Sequence, residues 1–208
     1  MIRDPSDLQR YTASERANHW VVGICFILLG LSGLALFHPA LFPLTYLFGG
    51  GTWTRILHPF IGVVMMLFFV VMFFRFQHLN RMTDTDWQWV RRAKEMVNGD
   101  DHNMPIQGKY NGGQKLLFWF LGLAMLVLFA SGIVIWRAYF SAYFGIGAIR
   151  LAALLHAGFA TLMIIAIIVH VYAAIWVRGT IRAMLYGTVT RAWAKQHHRA
   201  WYRQMTGK

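Results

Sequence analysis

The strongest constraint on this chain is its last long apolar run, Ile149 to Val177, reading IRLAALLHAGFATLMIIAIIVHVYAAIWV. At about 29 residues without Asp, Glu or Lys, it is long enough to cross a bilayer with some tilt. It nevertheless carries His156 and His170. An ionisable side chain inside an apolar span is costly, so each is expected to face the interior of a helix bundle and not lipid. At roughly 100° per residue the two histidines return to within about 40° of one helix face, about 21 Å apart along the axis. That is less than the ~30 Å hydrocarbon core. One histidine therefore belongs near each membrane surface, and the two cannot share a metal centre.

The rest of the chain agrees with a membrane setting. Of its 208 residues, 57% are apolar and only 13% charged, where a soluble domain carries roughly 25% charged residues. Three earlier apolar runs, Trp20 to Phe37, Ile56 to Phe76 and Leu116 to Trp136, complete four spans (20–37, 56–76, 116–136 and 149–177). The polar N-terminus has no basic n-region followed by a cleavage site, so the first span is expected to be retained. With no internal repeat, low-complexity tract or long soluble linker, residues 1–208 read as a single all-α membrane domain, a four-helix bundle. The lone Cys25 excludes an intrachain disulfide, a Cys-ligated iron–sulfur cluster and c-type haem attachment, so any haem here is held without a covalent bond.

An even number of crossings puts both termini on one side. Of the 20 Lys and Arg, only Arg55, Arg137 and Arg150 fall on the two loops of the other side; the rest flank the N-terminus, the 79–114 loop and the 179–208 tail. The positive-inside rule makes those segments cytoplasmic. The formal charge of +12 thus reports topology and contact with anionic lipid headgroups, not nucleic acid. Asp4, Asp7, Glu15, Asp84, Asp86, Glu95, Asp100 and Asp101 all lie outside the spans, so the mid-membrane carboxylate typical of transporters and pumps is missing.

Six of the nine histidines stand at span edges: His38, His58 and His156 on the outer side, His19, His78 and His170 on the inner. His78 lies about 200° round the helix from His58, and His38 about 100° from His19 and directly before Pro39, so both read as interfacial. His102, His197 and His198 lie in polar segments and read as solvated or headgroup-facing. His19, His58, His156 and His170 remain, enough for two b-type haems with two axial imidazoles each. One turn deeper from each stands a small residue, Gly23, Gly62, Ala160 and Ala166. These leave room for a flat macrocycle or serve small-residue helix packing; sequence does not decide between the two. Arg16 and Arg55 precede His19 and His58 by one turn, where a guanidinium reaches either a haem propionate or the headgroups. Zinc would need further Cys, Asp or Glu donors, and none is close in sequence.

Before the third span runs Gly108-Lys109-Tyr110-Asn111-Gly112-Gly113-Gln114-Lys115. Its glycines permit close approach, and its neutral amides at the membrane surface suit a quinone headgroup. On the residues alone, a helix N-terminal turn explains the same pattern more simply.

Several segments carry a resemblance: Arg10-Tyr11-Thr12, Glu15-Arg16, Asn18-His19-Trp20, RILHPFIGVVM (55–65), KYNGGQK (109–115), SGIVIWRAYF (131–140), HVYAAIWVRGTIRAM (170–184) and AWAKQHHRAWYR (192–203). Over nearly its whole length the chain resembles the cytochrome b, or gamma, subunits of respiratory membrane-bound formate dehydrogenases. The resemblance implies a four-helix anchor of the bacterial inner membrane with two haem b groups. The outer haem iron would be bound by His58 and His156, the inner one by His19 and His170. It implies a menaquinone site beside the inner haem, with Asn111, Gly113 and Gln114. It also implies two partners, an iron–sulfur (beta) subunit and a catalytic (alpha) subunit containing molybdenum or tungsten. Electrons would enter at the outer haem and leave to quinone on the cytoplasmic side, while formate oxidation itself would not occur on this chain. The pattern departs at Gly112, Ala138 and Gln196, where the family often has an aromatic, Pro and Lys. The alternative is a stand-alone or hydrogenase-type di-haem b cytochrome acting as a quinone oxidoreductase, and a third reading is a non-redox scaffold or transporter.

Overall fold

The computed structural model describes residues 4–98 and 103–207; Asp100, Asp101 and His102 lie outside the described residues. In chain order the elements are β1 (Leu8–Gln9), α1 (Ala13–Phe37), a 3-10 stretch (Pro39–Phe48), α2 (Gly51–Phe76) and a short 3-10 turn (Gln77–Asn80). These are followed by α3 (Asp84–Arg91), α4 (Ala93–Val97), α5 (Gly112–Ile135), α6 (Ile146–Trp176), α7 (Thr180–Tyr186), β2 (Thr188–Val189), α8 (Arg191–His197) and α9 (Arg199–Thr206). Helices α1, α2, α5 and α6 are long and apolar enough to cross a bilayer, and they cover the four expected spans except Trp136 and Val177, which lie just past the ends of α5 and α6. Side chains such as Ile24, Leu67, Leu126 and Ile168 are exposed along them, as befits helices whose outer solvent is lipid.

Helices α1 and α5 begin earlier than the apolar runs because their first turns are polar and capped. Thr12 N–H donates to Glu15 Oε2 at 2.7 Å, and Glu15 N–H donates to Thr12 Oγ1 at 3.3 Å. This capping box starts α1 at Ala13, ahead of anything hydropathy detects. At its other end, His38 adopts an extended φ of −132° before Pro39, and its Nδ1 accepts from Ala40 N–H at 3.2 Å. His38 and His78 are both exposed, as expected.

Packing divides the chain into two compact units, one of Ala17–Phe73 with Leu121–Val169, the other of the remaining described residues. In the first unit, α1 meets α2 through Asn18, whose amide donates to Phe68 O at 3.2 Å. Helices α2 and α5 approach closely at Gly122, where a Cβ would stand 2.9 Å from the Phe73 ring.

The second unit departs from an all-α reading. Strands β1 and β2 form an antiparallel ladder, Leu8 opposite Val189 and Gln9 opposite Thr188. Gly187, at φ +81°, turns the chain into it, and Arg10 and Tyr11 N–H both donate to the Gly187 carbonyl. Leu8, Ala183, Val189, Trp193, Ala194 and Trp201 form its core. Arg182 pairs with Asp7, and Arg191 donates to Ser6 O. Residues 179–207 are therefore a folded part of a small domain with the described N-terminal residues, where span-counting sees only a tail.

Candidate functional site

His58 on α2 and His156 on α6 face one another in the first unit, ring centroids 6.3 Å apart and planes at 66°. Each imidazole is held from behind by a serine on the neighbouring helix. Ser32 Oγ on α1 lies 2.7 Å from Leu28 O and 2.8 Å from His58 Nδ1. A carbonyl only accepts, so the hydroxyl proton goes to Leu28 O and Ser32 Oγ accepts from His58 Nδ1–H. On α5, Ser131 Oγ donates to Val127 O at 2.6 Å, and His156 Nδ1 lies 3.0 Å from Ser131 Oγ and 3.1 Å from Leu128 O. Both of these act as acceptors, so this Nδ1 is also protonated. Each ring is thus fixed in the tautomer that keeps its Nε2 lone pair available to a metal.

This geometry fits a haem iron. Imidazole nitrogen bonds a first-row metal at about 2 Å and lies about 1 Å from its ring centroid, so two imidazoles bound end-on to one ion stand about 6 Å apart. Among the described residues no group of three or more His, Cys, Asp or Glu could hold a metal. The donor set here is therefore two imidazoles, which suits an ion whose other ligands come from a macrocycle and not the three- or four-ligand zinc pattern. Among the described residues, a Cβ at Gly23 would meet nothing within 4 Å, and one at Gly62 would only touch Leu29 at 4.0 Å. Close helix packing therefore does not explain these two.

His19, partly buried on α1 in the first unit, stands edge-on to Trp20, with ring centroids 5.9 Å apart; His170, exposed on α6, belongs to the second unit. Arg55 is exposed one turn before His58. Arg16 Nη1 donates to Leu185 O at 2.5 Å. Asn111 and Gln114 form a capping box at the start of α5: Gln114 N–H donates to Asn111 Oδ1 at 2.9 Å, and Asn111 N–H to Gln114 Oε1 at 3.1 Å. The amide oxygens are engaged in the cap, which leaves the NH2 groups for other contacts. What the two glycines approach closely is α3. A Cβ at Gly112 would collide with the Asp86 carbonyl, and one at Gly113 would stand 2.8 Å from the Trp89 ring. Beneath them Lys115 Nζ meets Asp86 at 2.6 Å and Arg81 O at 3.1 Å. Burial alone would raise the Asp86 carboxyl, but hydrogen bonds from Lys115 and Thr83 outweigh it and hold it below its ordinary range.

Two groups of residues escaped the sequence reading. The first is the Ser32/Ser131 pair, whose only signal was a Ser-Gly dipeptide in the first and third spans. The second surrounds His198, which is not solvated: it is 3% exposed, with Nδ1 donating to Gly108 O at 2.7 Å and Nε2 accepting from Arg10 Nη2 at 3.3 Å. Arg10, 5% exposed, also donates to Lys109 O at 2.5 Å and lies within 6 Å of the rings of Tyr11, Tyr110, Trp193 and Trp201. Burial first, and the Arg10 charge second, push the His198 pKa down to about 3. A buried neutral histidine beside a buried arginine is a tertiary arrangement that no local pattern announces.

Comparison with known proteins identifies the family. A family model described as Prokaryotic cytochrome b561 matches residues 10–187. The formate dehydrogenase cytochrome b556(fdo) subunit of Escherichia coli K12 is 45% identical over 94% of this chain and 92% of its own length. The cytochrome b556(Fdn) subunit of the nitrate-inducible formate dehydrogenase of the same strain is 43% identical, covering 92% and 88%. The formate dehydrogenase cytochrome b556 subunit of Haemophilus influenzae is 39% identical, covering 98% and 85%. This chain belongs to the prokaryotic cytochrome b561 family, among the cytochrome b556 subunits of formate dehydrogenases.

Proposed function

We propose that this multi-pass inner-membrane protein is the di-haem anchor of a formate dehydrogenase complex, carrying electrons from an iron–sulfur subunit at the outer face to menaquinone at the cytoplasmic face. The observation that supports this most directly is the His58/His156 pair: two imidazoles on separate spans, at the separation one metal ion requires, each with its Nδ1 proton committed to a buried acceptor. Bound haem b supplies one-electron exchange between ferric and ferrous iron.

The chain's residues do the rest. His58 and His156 hold the outer haem, and His19 and His170 the inner one. Gly23 and Gly62 leave space beside the ligand helices. Arg55 and Arg16 stand one turn from a ligand and offer guanidinium donors to propionates. Asn111 and Gln114 offer amide N–H groups, with the Gly113 backbone beside them, to a quinone carbonyl at the face where cytoplasmic protons are available. Formate oxidation belongs to the molybdenum- or tungsten-containing alpha subunit, and the beta subunit passes its electrons on.

Purification of the intact complex tests this reading. Pyridine haemochrome assay should give two haem b per chain, formate should reduce both, and menaquinone analogues should reoxidise them. A chain that carries haem but purifies without an iron–sulfur subunit, reduced instead by a small soluble donor, would favour the free-standing cytochrome.

A further inference from the structure

We propose that Ser32 and Ser131 are positioning residues that set the donor strength of the two outer-haem imidazoles, and that Ser32 exerts the larger effect. This rests on the reading that His58 and His156 hold one haem.

The arrangement occurs twice. Ser32-Gly33 on α1 faces His58 on α2, and Ser131-Gly132 on α5 faces His156 on α6. In both places a Cβ added to the glycine would stand 3.4 Å from the imidazole Cε1, so helix and ring lie in contact at the glycine while the serine next to it accepts the ring N–H. Both serines are buried, Ser32 at 0% and Ser131 at 5% exposure, so water does not readily replace either. Each hydroxyl also donates to a carbonyl one turn back in its own helix, which orients its lone pairs toward the imidazole.

An Nδ1–H that donates a hydrogen bond places more electron density on Nε2. A more basic Nε2 favours the ferric over the ferrous state of bound iron and so lowers the potential. The two sides are unequal. His156 Nδ1 has Leu128 O as a second acceptor at 3.1 Å, whereas among the described residues Ser32 is the acceptor His58 Nδ1 has. Removing Ser32 therefore leaves a buried N–H without a partner, while removing Ser131 leaves a hydrogen bond to a carbonyl in place.

The test uses the intact complex carrying Ser32→Ala, Ser131→Ala or Ser32→Thr, with haem content, redox titration and the low-spin ferric EPR signals as readouts. The expected result is wild-type haem content, a raised midpoint for one haem in Ser32→Ala, and a smaller rise for the same haem in Ser131→Ala. The other haem should keep its midpoint, and the hydroxyl of Ser32→Thr should restore the first. Two unmoved midpoints at full haem content, or equal shifts of both haems, would overturn the proposal. Should Ser32→Ala lose haem, Ser131→Ala decides through its EPR signals, and an unchanged spectrum there would also overturn it. Failure of the underlying reading looks different: the His58→Ala variant would then retain its full complement of haem.

Discussion

Replacing His198 by Ala should loosen the segment that leads into α5, and acid should do the same to the wild-type protein. The side chain donates to Gly108 O at 2.7 Å and accepts from Arg10 at 3.3 Å. Its loss leaves a buried carbonyl without its donor and opens a small cavity, a local cost on the order of 2–4 kcal/mol. Arg10 keeps Lys109 O and its four aromatic neighbours, so the cost stays local. For acid the direction follows from the pKa. The folded value is about 3 against an ordinary 6.5, so the opened segment binds the proton that the closed one refuses. The stabilisation is complete above pH 6.5 and declines as pH falls from there toward 3. Protonation would also place a second cation against Arg10, with His197 and the half-buried Lys109 ammonium close by. Between about pH 7.5 and pH 5 the closed form should lose about 2 kcal/mol. Ala200 N–H, which donates to Gln107 O at 3.0 Å across the same junction, is the reporter. Hydrogen exchange of the peptides around residues 104–111 and 198–203, corrected for intrinsic rates, should accelerate at least tenfold in His198→Ala and roughly 30-fold in acidified wild type. The variant should lose the pH dependence. Wild-type protection in His198→Ala, or an identical acid response in the variant, would refute the reasoning.

His58→Ala or His156→Ala should remove one haem and leave the other, read as half the haemochrome absorbance at normal protein level, because each haem draws on its own ligand pair. Arg55→Gln should raise or lower the midpoint of one haem only, since its guanidinium lies one turn from His58 on a side where basic residues are scarce; a redox titration with both midpoints unmoved would remove it from the site. Gln114→Glu keeps the oxygen that caps α5 but removes the NH2 donors, so haem reoxidation by menaquinone analogues in stopped flow should slow while helix protection is retained. Gln114→Leu should lose both, and wild-type reoxidation in both variants would move the quinone site away from this loop. Gly113→Ala should destabilise the start of α5 by about 1–3 kcal/mol, because its methyl would meet the Trp89 ring at 2.8 Å; unchanged exchange protection of residues 112–116 would argue against that close fit.

The four spans were legible because a bilayer imposes a length and a polarity that few other settings require. Helical phase on those spans singled out His19, His58, His156 and His170 and set aside His38 and His78; the structure brings His58 and His156 together, while His170 is exposed like the two set aside. Helix α1 begins about two turns before its apolar run, because the Thr12/Glu15 box is polar and hydropathy does not register a cap, whereas the helix N-terminal turn read at 108–115 is the Asn111/Gln114 box. The serines behind the imidazoles were missed for a different reason. Ser32 and His58 are 26 residues apart, on different helices, so their meeting depends on interhelical register and not on any periodicity within one helix. The clasp of Arg10, Gly108 and His198 spans even longer separations, and its residues alone resemble ordinary basic flanks.

The 108–115 loop draws these strands together. His198 holds the Gly108 carbonyl and Arg10 the Lys109 carbonyl. Asn111 and Gln114 lock each other, α3 presses on Gly112 and Gly113, and Lys115 is bound to Asp86. Two glycines in a surface loop would ordinarily leave much conformational entropy to be lost on binding. Here contacts from the N-terminus, from α3 and from the C-terminal helices have already removed it. If the loop meets menaquinone, as proposed, the Asn111 and Gln114 side chains do so with their oxygens engaged and their N–H groups left over, so they present donors to a hydrogen-bond acceptor. Quinone carbonyls are acceptors, and they become stronger ones as electrons arrive. The contacts that hold the second unit together would then also keep the donors in place for the reduced form.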